Sequence, residues 1–198
     1  MKQLLMYWLS GTPVNHFELP EGYSFSNYKT TEDKMEWVEC CLNGLTNPGD
    51  DDSTFDRRIL GEDLDPYKDV FFLDYYGKHI GTTTAFVHPE ENTGDLHMVG
   101  IRTEYRGKGL AKYLTEISID HLSKQNVNSI HLTTDDERLG AVKSYLSAGF
   151  LPVNYDPEMD GRWAAVLENL KIDSVKMLKK DGTFDKILYR SGWTGNTK

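Results

Sequence analysis

The 198-residue sequence predicts an α/β fold in which one mixed β-sheet carries helices on both faces. Three observations lead to this prediction. Apolar alternation on both sides of Tyr76-Gly77-Lys78 indicates a β-hairpin. An apolar run at Leu96–Ile101 feeds a stretch with helical periodicity at Gly109–Gln125. A strand–helix–strand unit follows at Ile130–Thr133, Leu139–Ala148 and Leu151–Val153.

The first third of the chain predicts two strands and two helices. Leu4–Leu9 is too short for the apolar core of a signal peptide and predicts an internal strand or a docked N-terminal arm. Tyr23–Tyr28 is the next predicted strand. Glu32–Leu42 predicts a helix and Thr54–Leu60 a second one. The inward positions of the first helix are Met35, Val38 and Trp37.

The middle and the end of the chain complete the layout. Asp69–Tyr76 and Lys78–His88 are the strands of the hairpin. Thr134 and Glu137 have the spacing of a T-x-x-E capping box, which predicts a helix start at Thr134. A helical stripe beyond Asp160 contains Trp163, Val166, Leu167 and Leu170. Asp181–Lys198 predicts a peripheral strand or a loosely docked tail.

No linker divides the chain, so one domain is predicted over residues 1–198. Its core spans about 23–155, with an N-terminal arm or strand at 1–22 and a C-terminal extension at 156–198. No apolar run is long enough to span a bilayer. Cys40 and Cys41 are adjacent, so they form no ordinary intrachain disulfide, and no metal-ligand spacing is present. We therefore predict a reducing, cytoplasmic setting and no metal.

The net charge of −9 argues against nucleic acid and anionic membranes as partners. Acidic residues concentrate in Asp50–Asp69. Such a run is usually a solvated face. The other hypothesis is a surface that attracts a cationic amine. The opposite sign appears in a basic cluster that contains Arg102, Arg106, Lys108 and Lys112.

The segment Val99–Ala111 has the order strand, polar turn, helix, with glycines at 107 and 109. Glycines permit close approach of an anion to the main chain, and a helix N-terminus offers unpaired N–H groups and partial positive charge. The segment does not match a P-loop, and Lys112 stands where a dinucleotide fingerprint needs glycine. It predicts a phosphate-binding turn. The alternative is a strand–turn–helix unit with glycine as punctuation.

Arg106, Gly109 and Ala111 resemble motif A, R/Q-x-x-G-x-G/A, of the GCN5-related N-acetyltransferases (GNAT), which bind acyl-coenzyme A by its pyrophosphate. A second stretch resembles the family pattern A-x-x-x-Y-x-x-x-G-F through Ala141, Tyr145, Gly149 and Phe150. Thr134–Leu139 further resembles a bacterial subgroup related to a mycothiol synthase half-domain. Many family members carry Asn where this chain has Arg138.

The resemblance implies a GNAT-like fold whose central strands, Leu96–Ile101 and Ile130–Thr133, splay to admit the thioester arm of acetyl-CoA. It implies acetyl-CoA as co-substrate and no metal. The residues expected to bind it are Met98, Val99, Gly100, Ile101, Arg106, Gly107, Lys108, Gly109, Leu110, Ala111 and Arg138.

Amide formation from a thioester needs a neutral amine, a stabilised carbonyl oxygen and a proton or hydrogen bond for the departing thiolate. We expect a main-chain N–H at Met98 or Val99 to stabilise the oxygen. Tyr145 is the candidate donor to the thiolate, with a packing role as its alternative. Asp95 matches the position of a catalytic glutamate in histone-acetylating relatives, but it also suits a turn. His97 is a second candidate base, although a lone strand histidine is more often structural.

The resemblance implies an N-acetyltransferase that moves acetyl from acetyl-CoA to a primary amine of a small molecule, by direct attack in a ternary complex. A non-catalytic acyl-CoA sensor is the alternative, and a purely structural α/β domain is a third. We expect a small-molecule amine acceptor, neither nucleic acid nor membrane as partner, and a monomer or homodimer.

Overall fold

The computed structural model describes residues 2–60 and 64–193. Its contacts divide the chain into two compact units, Val14–Asn128 and the combination of Met1–Pro13 with Ser129–Lys198. The strands are Leu4–Leu9 (β1), Tyr23–Asn27 (β2), Val70–Tyr75 (β3), Lys78–His88 (β4), Thr93–Ile101 (β5), Ser129–Thr134 (β6), Leu151–Asn154 (β7), Ser174–Lys179 (β8) and Phe184–Tyr189 (β9). The helices are Asp33–Cys41 (α1), Asp52–Ile59 (α2), Pro66–Asp69 (α3), Ala111–Ser123 (α4), Leu139–Ser147 (α5) and Met159–Leu170 (α6).

In the unit Val14–Asn128, strands β2, β3, β4 and β5 pair in that order, and every pair is antiparallel. The turn between β3 and β4 has positive φ at Tyr76 (48°) and Gly77 (80°), as a type I′ hairpin requires. The hairpin prediction is confirmed.

Helices cover both faces of β5. A Cβ placed at Gly94 would meet the side chain of Leu122 on α4, whereas a Cβ at Gly100 would meet the backbone of Cys40 on α1. Trp37 and Val38 are buried against the sheet, as predicted. Met35 is 40% exposed, so its predicted inward position is wrong.

The other unit is built around the N-terminal strand. β1 pairs antiparallel with β6 along its whole length, from Leu4↔Thr134 to Leu9↔Ser129, and with β7 on its other edge. The apolar run at the start of the chain is therefore an internal strand. β7 and β8 are parallel, and β8 and β9 antiparallel, so the sheet is mixed as predicted.

The described part of the C-terminal extension, residues 156–193, contains one helix and two strands. Trp163, Val166 and Leu167 of α6 are buried, which confirms the helical stripe. β9 is the predicted peripheral strand, while β8 was not predicted. No helix in the described part of the chain is long and apolar enough to cross a membrane.

The predicted helix start at Thr134 is wrong. Thr134 is the last residue of β6, and α5 begins only at Leu139. The pairing of Thr134 with Leu4 keeps it in the sheet, so a local capping preference loses to a long-range strand pairing. Arg138, the N-cap residue, makes no side-chain capping hydrogen bond.

Candidate functional site

The turn between β5 and α4 has the conformation expected of an anion-binding loop. After Ile101 the chain makes a 3-10 turn at Thr103–Tyr105 and reaches α4 at Ala111. Gly107 and Gly109 have φ of 75° and 72°, the left-handed region that side chains disfavour. A Cβ at either position would meet no atom within 4 Å, so both glycines border open space.

Most main-chain N–H groups of this loop have no acceptor among the residues that the structure describes. The Arg106 N–H bonds to the carbonyl of Thr103, and the Tyr113 N–H bonds to the carbonyl of Leu110. Among the described residues, the intervening amides 107–112 have no hydrogen-bond acceptor. Six successive donors, four before α4 and two in its first turn, form a concentrated positive potential. The loop can therefore bind a multiply charged anion through backbone alone.

Arg106 holds this loop in place through its side chain. Its Nε donates to the carbonyl of Ile101 (2.8 Å), and its terminal nitrogens donate to the carbonyls of Asn43 (3.1 Å) and Leu42. These last two carbonyls follow the C-terminus of α1, where a cation is favourable. The guanidinium thus ties α1 to the loop.

Not every basic residue of the predicted cluster contributes a net positive charge near the loop. Arg102 is paired with Glu36 (2.7 Å) and Glu39 (3.4 Å), so its charge is compensated. Lys108 and Lys112 are exposed, and their ammonium groups lie over the rings of Tyr105 (4.8 Å) and Phe17 (4.4 Å). These two lysines supply the formal positive charge beside the amides.

A β-bulge interrupts β5 just before the loop. His97 pairs with Thr84 and Gly100 with Thr82, so Met98 and Val99 together oppose one residue, Thr83. Met98 has φ of 53°, which is unusual for a residue with a long side chain. A bulge removes a residue from the ladder and redirects its N–H. Met98 and Val99 are therefore the residues of β5 at which the regular β4–β5 ladder is interrupted.

The side chains of Met98 and Val99 lie on opposite faces of the sheet. Met98 packs with the cluster around Trp37 and Phe55, whereas Val99 packs with the cluster around Leu114. Met98 thus points to the face covered by α1 and α2, and Val99 to the face covered by α4.

The two candidate bases lie on β5 and share a face with residues of β4. Asp95 is the cross-strand partner of Phe86, and the Phe86 ring lies 6.4 Å from that of His97. The Asp95 carboxylate lies 3.1 Å from Nε2 of His88, and both side chains are about one-third exposed (37%). His88 was not singled out from the sequence, although it alternates with Phe86 at the end of the same strand. The predicted pairing of Asp95 and His97 on one face is supported by these contacts.

Tyr145 lies in the last turn of α5. Its side chain is 7% exposed and packs edge-on against Phe150 at 5.9 Å. Burial raises the pKa of the Tyr145 hydroxyl to about 12, against a smaller opposing effect of the Arg138 charge. Burial therefore favours the neutral, protonated form of the hydroxyl.

Arg138 precedes α5 and is paired within its own loop. Its Nε lies 2.9 Å from an Asp135 carboxylate oxygen, and both side chains are about one-third exposed. The loop that stands in place of the expected capping box thus carries an ion pair between Arg138 and Asp135.

Acidic residues of the segment Asp50–Asp69 cap helices and form an ion pair with a nearby lysine. Asp51 and Asp65 cap α2 and α3 by accepting from the N–H groups of Ser53 and Tyr67. Asp56 pairs with Lys34 at 2.7 Å. These roles favour the interpretation as a solvated face. Glu62 and Asp63, part of the same charge cluster, lie outside the described residues.

Comparison with known proteins agrees with this geometry. A family model described as acetyltransferase (GNAT) family matches residues 31–150, more than half of the chain. The chain belongs to the GNAT acetyltransferase family. The matched range includes the bulge, the β5–α4 loop and Tyr145, whereas β1, β2, β7, α6, β8 and β9 lie outside it.

Curated relatives include mycothiol acetyltransferases. The one from Streptomyces coelicolor is 29% identical over 146 residues, which cover 72% of this chain and 47% of the relative. A second, from Streptomyces scabiei, is 28% identical over 141 residues, covering 70% of this chain and 46% of that protein. The chain spans about half the length of the curated relatives it matches.

Solved structures show the same fold. A GCN5-related N-acetyltransferase from Sphaerobacter thermophilus superposes with a TM-score of 0.58 at 20% identity, over 75% of this chain and 47% of that chain. The expected GNAT-like α/β fold is confirmed.

Proposed function

We propose that this chain is an acetyl-CoA-dependent N-acetyltransferase that acetylates a primary amine of a small molecule by direct attack in a ternary complex. The observation that carries the proposal is the row of unpaired amides at residues 107–112 around two left-handed glycines. The diphosphate of coenzyme A is the anion that this row suits, because a diphosphate offers several oxygens along one edge.

The comparisons support the co-substrate. The curated relatives are named for acetyl transfer, and a solved structural neighbour, the NatC complex bound to Gag peptide and CoA, has a TM-score of 0.51 at 20% identity, over 63% of this chain and 82% of that chain. The proposed coenzyme contacts are Met98, Val99, Gly100, Ile101, Arg106, Gly107, Lys108, Gly109, Leu110, Ala111 and Arg138. Arg106 contributes by shaping the loop, since its guanidinium is bound to carbonyl groups.

Direct attack is supported by the state of the cysteines. An acyl-enzyme formed on cysteine requires a thiolate nucleophile. Cys40 and Cys41 are buried, and burial raises the pKa of the Cys40 thiol to about 12 and that of Cys41 well above its usual range. Neither thiol is therefore a practical nucleophile, which favours direct attack of the amine on the thioester.

The chemistry assigns a role to each candidate. An N–H at Met98 or Val99 donates to the thioester oxygen as negative charge develops on it. Asp95 removes the proton of the ammonium through a water, with His97 as the second candidate. Tyr145 donates a hydrogen bond to the departing thiolate. A cytoplasmic setting and a monomer or homodimer complete the proposal.

The test combines binding with turnover. Calorimetry with acetyl-CoA should show saturable binding, and a panel of small primary amines should release free thiol. Gly109→Ala should weaken acetyl-CoA binding at least about tenfold, because the side chain both strains the positive φ and occupies the approach of the anion.

Gly77→Ala is the matched control. Gly77 has the same kind of φ, 80°, and the same open surroundings, but it lies in the β3–β4 turn. The Gly77→Ala variant should be less stable than the unaltered protein but should bind acetyl-CoA with the same affinity. Tight binding without thiol release from any amine would favour the sensor hypothesis. Absence of binding would overturn the proposal.

A further inference from the structure

The loop between β6 and α5 lacks a helix cap and is held by side chains from other elements. Asp135 forms an ion pair with Arg138. It also accepts a hydrogen bond from the side-chain Nε2 of Gln3 at 3.0 Å. Asp136 accepts from Arg162 of α6 through both of its oxygens. Asp135 is thus paired with Arg138, whereas its neighbour Asp136 is paired with Arg162.

Arg162 is suited to hold this loop rigidly. Its Nε lies 2.9 Å from one Asp136 oxygen, a terminal nitrogen binds the other oxygen, and the second terminal nitrogen donates to the carbonyl of Lys2 at 2.7 Å. The Arg162 side chain is only 14% exposed. A planar fork on a carboxylate is the most directional of the common ion pairs.

These contacts come from parts of the chain outside the family match. Lys2 lies just before β1, and Arg162 lies on α6, whereas the family model matches residues 31–150. Both segments converge on a loop that carries a basic residue, Arg138, at the N-terminus of α5. The added segments therefore control the conformation of a loop that lies inside the match.

We propose that Arg162 is a positioning residue that keeps Asp136 away from Arg138, so that Arg138 stays directed by Asp135 toward the coenzyme. The loop contains three successive carboxylates at residues 135–137 and one basic residue of its own, Arg138. Without Arg162, the Asp136 carboxylate competes for Arg138 and turns it away. This inference rests on the proposed function, because it assigns Arg138 a contact with acetyl-CoA.

The experiment measures acetyl-CoA binding by calorimetry and turnover at saturating substrates. Arg162→Met should weaken the Kd about tenfold, the cost of losing one charge-assisted contact. Turnover at saturation should change less than about threefold, because Arg162 contacts neither reacting group. The double variant Arg162→Met/Asp136→Asn should regain most of the affinity, because it removes the competing charge.

Arg190→Met is the matched control. Arg190 also lies in the C-terminal extension and pairs with two acids, Glu168 (2.8 Å) and Asp173 (3.0 Å), but not with the loop. It should leave the Kd unchanged. Arg162→Lys keeps the positive charge but loses the two parallel hydrogen bonds to Asp136, so its Kd for acetyl-CoA should be intermediate. This variant replaces Arg162→Met in the experiment if the methionine variant does not fold.

The outcomes separate this inference from the proposed function. If the unaltered protein does not bind acetyl-CoA, the proposed function fails and the inference with it. If it binds, equal affinity in the Arg162 variants overturns the positioning role alone. A double variant as weak as Arg162→Met also overturns it, because competition by Asp136 would then not be the cause.

Discussion

The carbonyl oxygen of Cys40 lies 2.8 Å from the point that a Cβ would occupy at Gly100. The Sγ atom of Cys41 would be 3.0 Å from the same point. Helix α1 therefore packs directly on the strand beside the bulge, and only a residue without a side chain allows this approach. The contact sets the distance between α1 and the candidate N–H donors at Met98 and Val99.

Gly100→Ala should destabilise the protein by about 1–3 kcal/mol, because backbone at Cys40 must move to admit the methyl group. Urea unfolding followed by circular dichroism would measure this. Gly161→Ala is the control, since Gly161 lies within α6 and a Cβ there meets nothing within 4 Å. It should keep or raise stability. Equal urea midpoints for Gly100→Ala and the unaltered protein would contradict the close contact between Gly100 and the backbone of Cys40.

Arg106→Lys should cost about 1–2 kcal/mol of stability, because one ammonium cannot donate to three carbonyls in different directions. Affinity for acetyl-CoA should fall as well, since the loop loses its attachment to residues 42 and 43. Arg58→Lys, on the exposed face of α2, is the control and should change neither quantity. Normal stability with lost affinity would instead indicate that the guanidinium itself contacts the ligand.

The strand–turn–helix conformation around Gly107 and Gly109 was predictable from sequence because its determinants are local. Two glycines, a preceding apolar run and a following helical stripe all lie within residues 96–125. The role of Arg106 was not predictable in the same way. Its side chain binds carbonyls more than 60 positions away, at Leu42 and Asn43, and no local pattern records such a contact.

The bulge gave no sequence signal either. Met98 and Val99 fit an ordinary strand, and the positive φ falls on methionine instead of glycine or asparagine. Similarly, the apolar run Leu4–Leu9 indicated a strand but not its place between β6 and β7. Strand order depends on pairing between distant segments, so a single sequence determines it poorly.

His79 should make the stability of the protein depend on pH. Its Nδ1 lies 2.5 Å from the Asp74 carboxylate and its Nε2 lies 3.6 Å from Asp33, while its ring stacks on Phe72. The hydrogen bond to Asp74 raises the pKa of His79, against a smaller effect of burial, and the charges of Asp33 and Glu36 also raise it. The charged imidazole is therefore favoured in the folded state.

Because the folded pKa is raised, the stabilisation is complete below the unfolded value of about 6.5 and is lost as pH rises through the folded pKa. His79→Gln should therefore destabilise the protein more at pH 6 than at pH 9. Thermal unfolding of both proteins across that range would measure the difference. His16→Gln, at an exposed site, is the control. A difference that grows with pH would show that His79 is neutral in the folded protein.

The choice of base can be tested through pH. If Asp95 removes the ammonium proton, Asp95→Asn should lower kcat/KM about 10²-fold near pH 7. The loss should shrink toward the pKa of the acceptor amine, where the amine is neutral without help. His97→Gln tests the second candidate, and His88→Gln tests whether the 3.1 Å contact with Asp95 matters. A loss in Asp95→Asn that is the same at every pH would indicate a structural role for the carboxylate.

Tyr145→Phe should lower turnover about 10²-fold, as expected when one preorganised donor is removed, and leave the Kd for acetyl-CoA nearly unchanged. The pKa of Tyr145 is raised to about 12, whereas a thiol titrates near about 8.5, so complete proton transfer to the thiolate would be uphill by about 5 kcal/mol. The hydroxyl therefore acts as a hydrogen-bond donor, and the pH profile of kcat should show no ionisation of Tyr145 below pH of about 10. Tyr28→Phe removes another buried hydroxyl and should leave kcat unchanged. Equal turnover in Tyr145→Phe would assign the thiolate another donor and leave Tyr145 with its packing against Phe150.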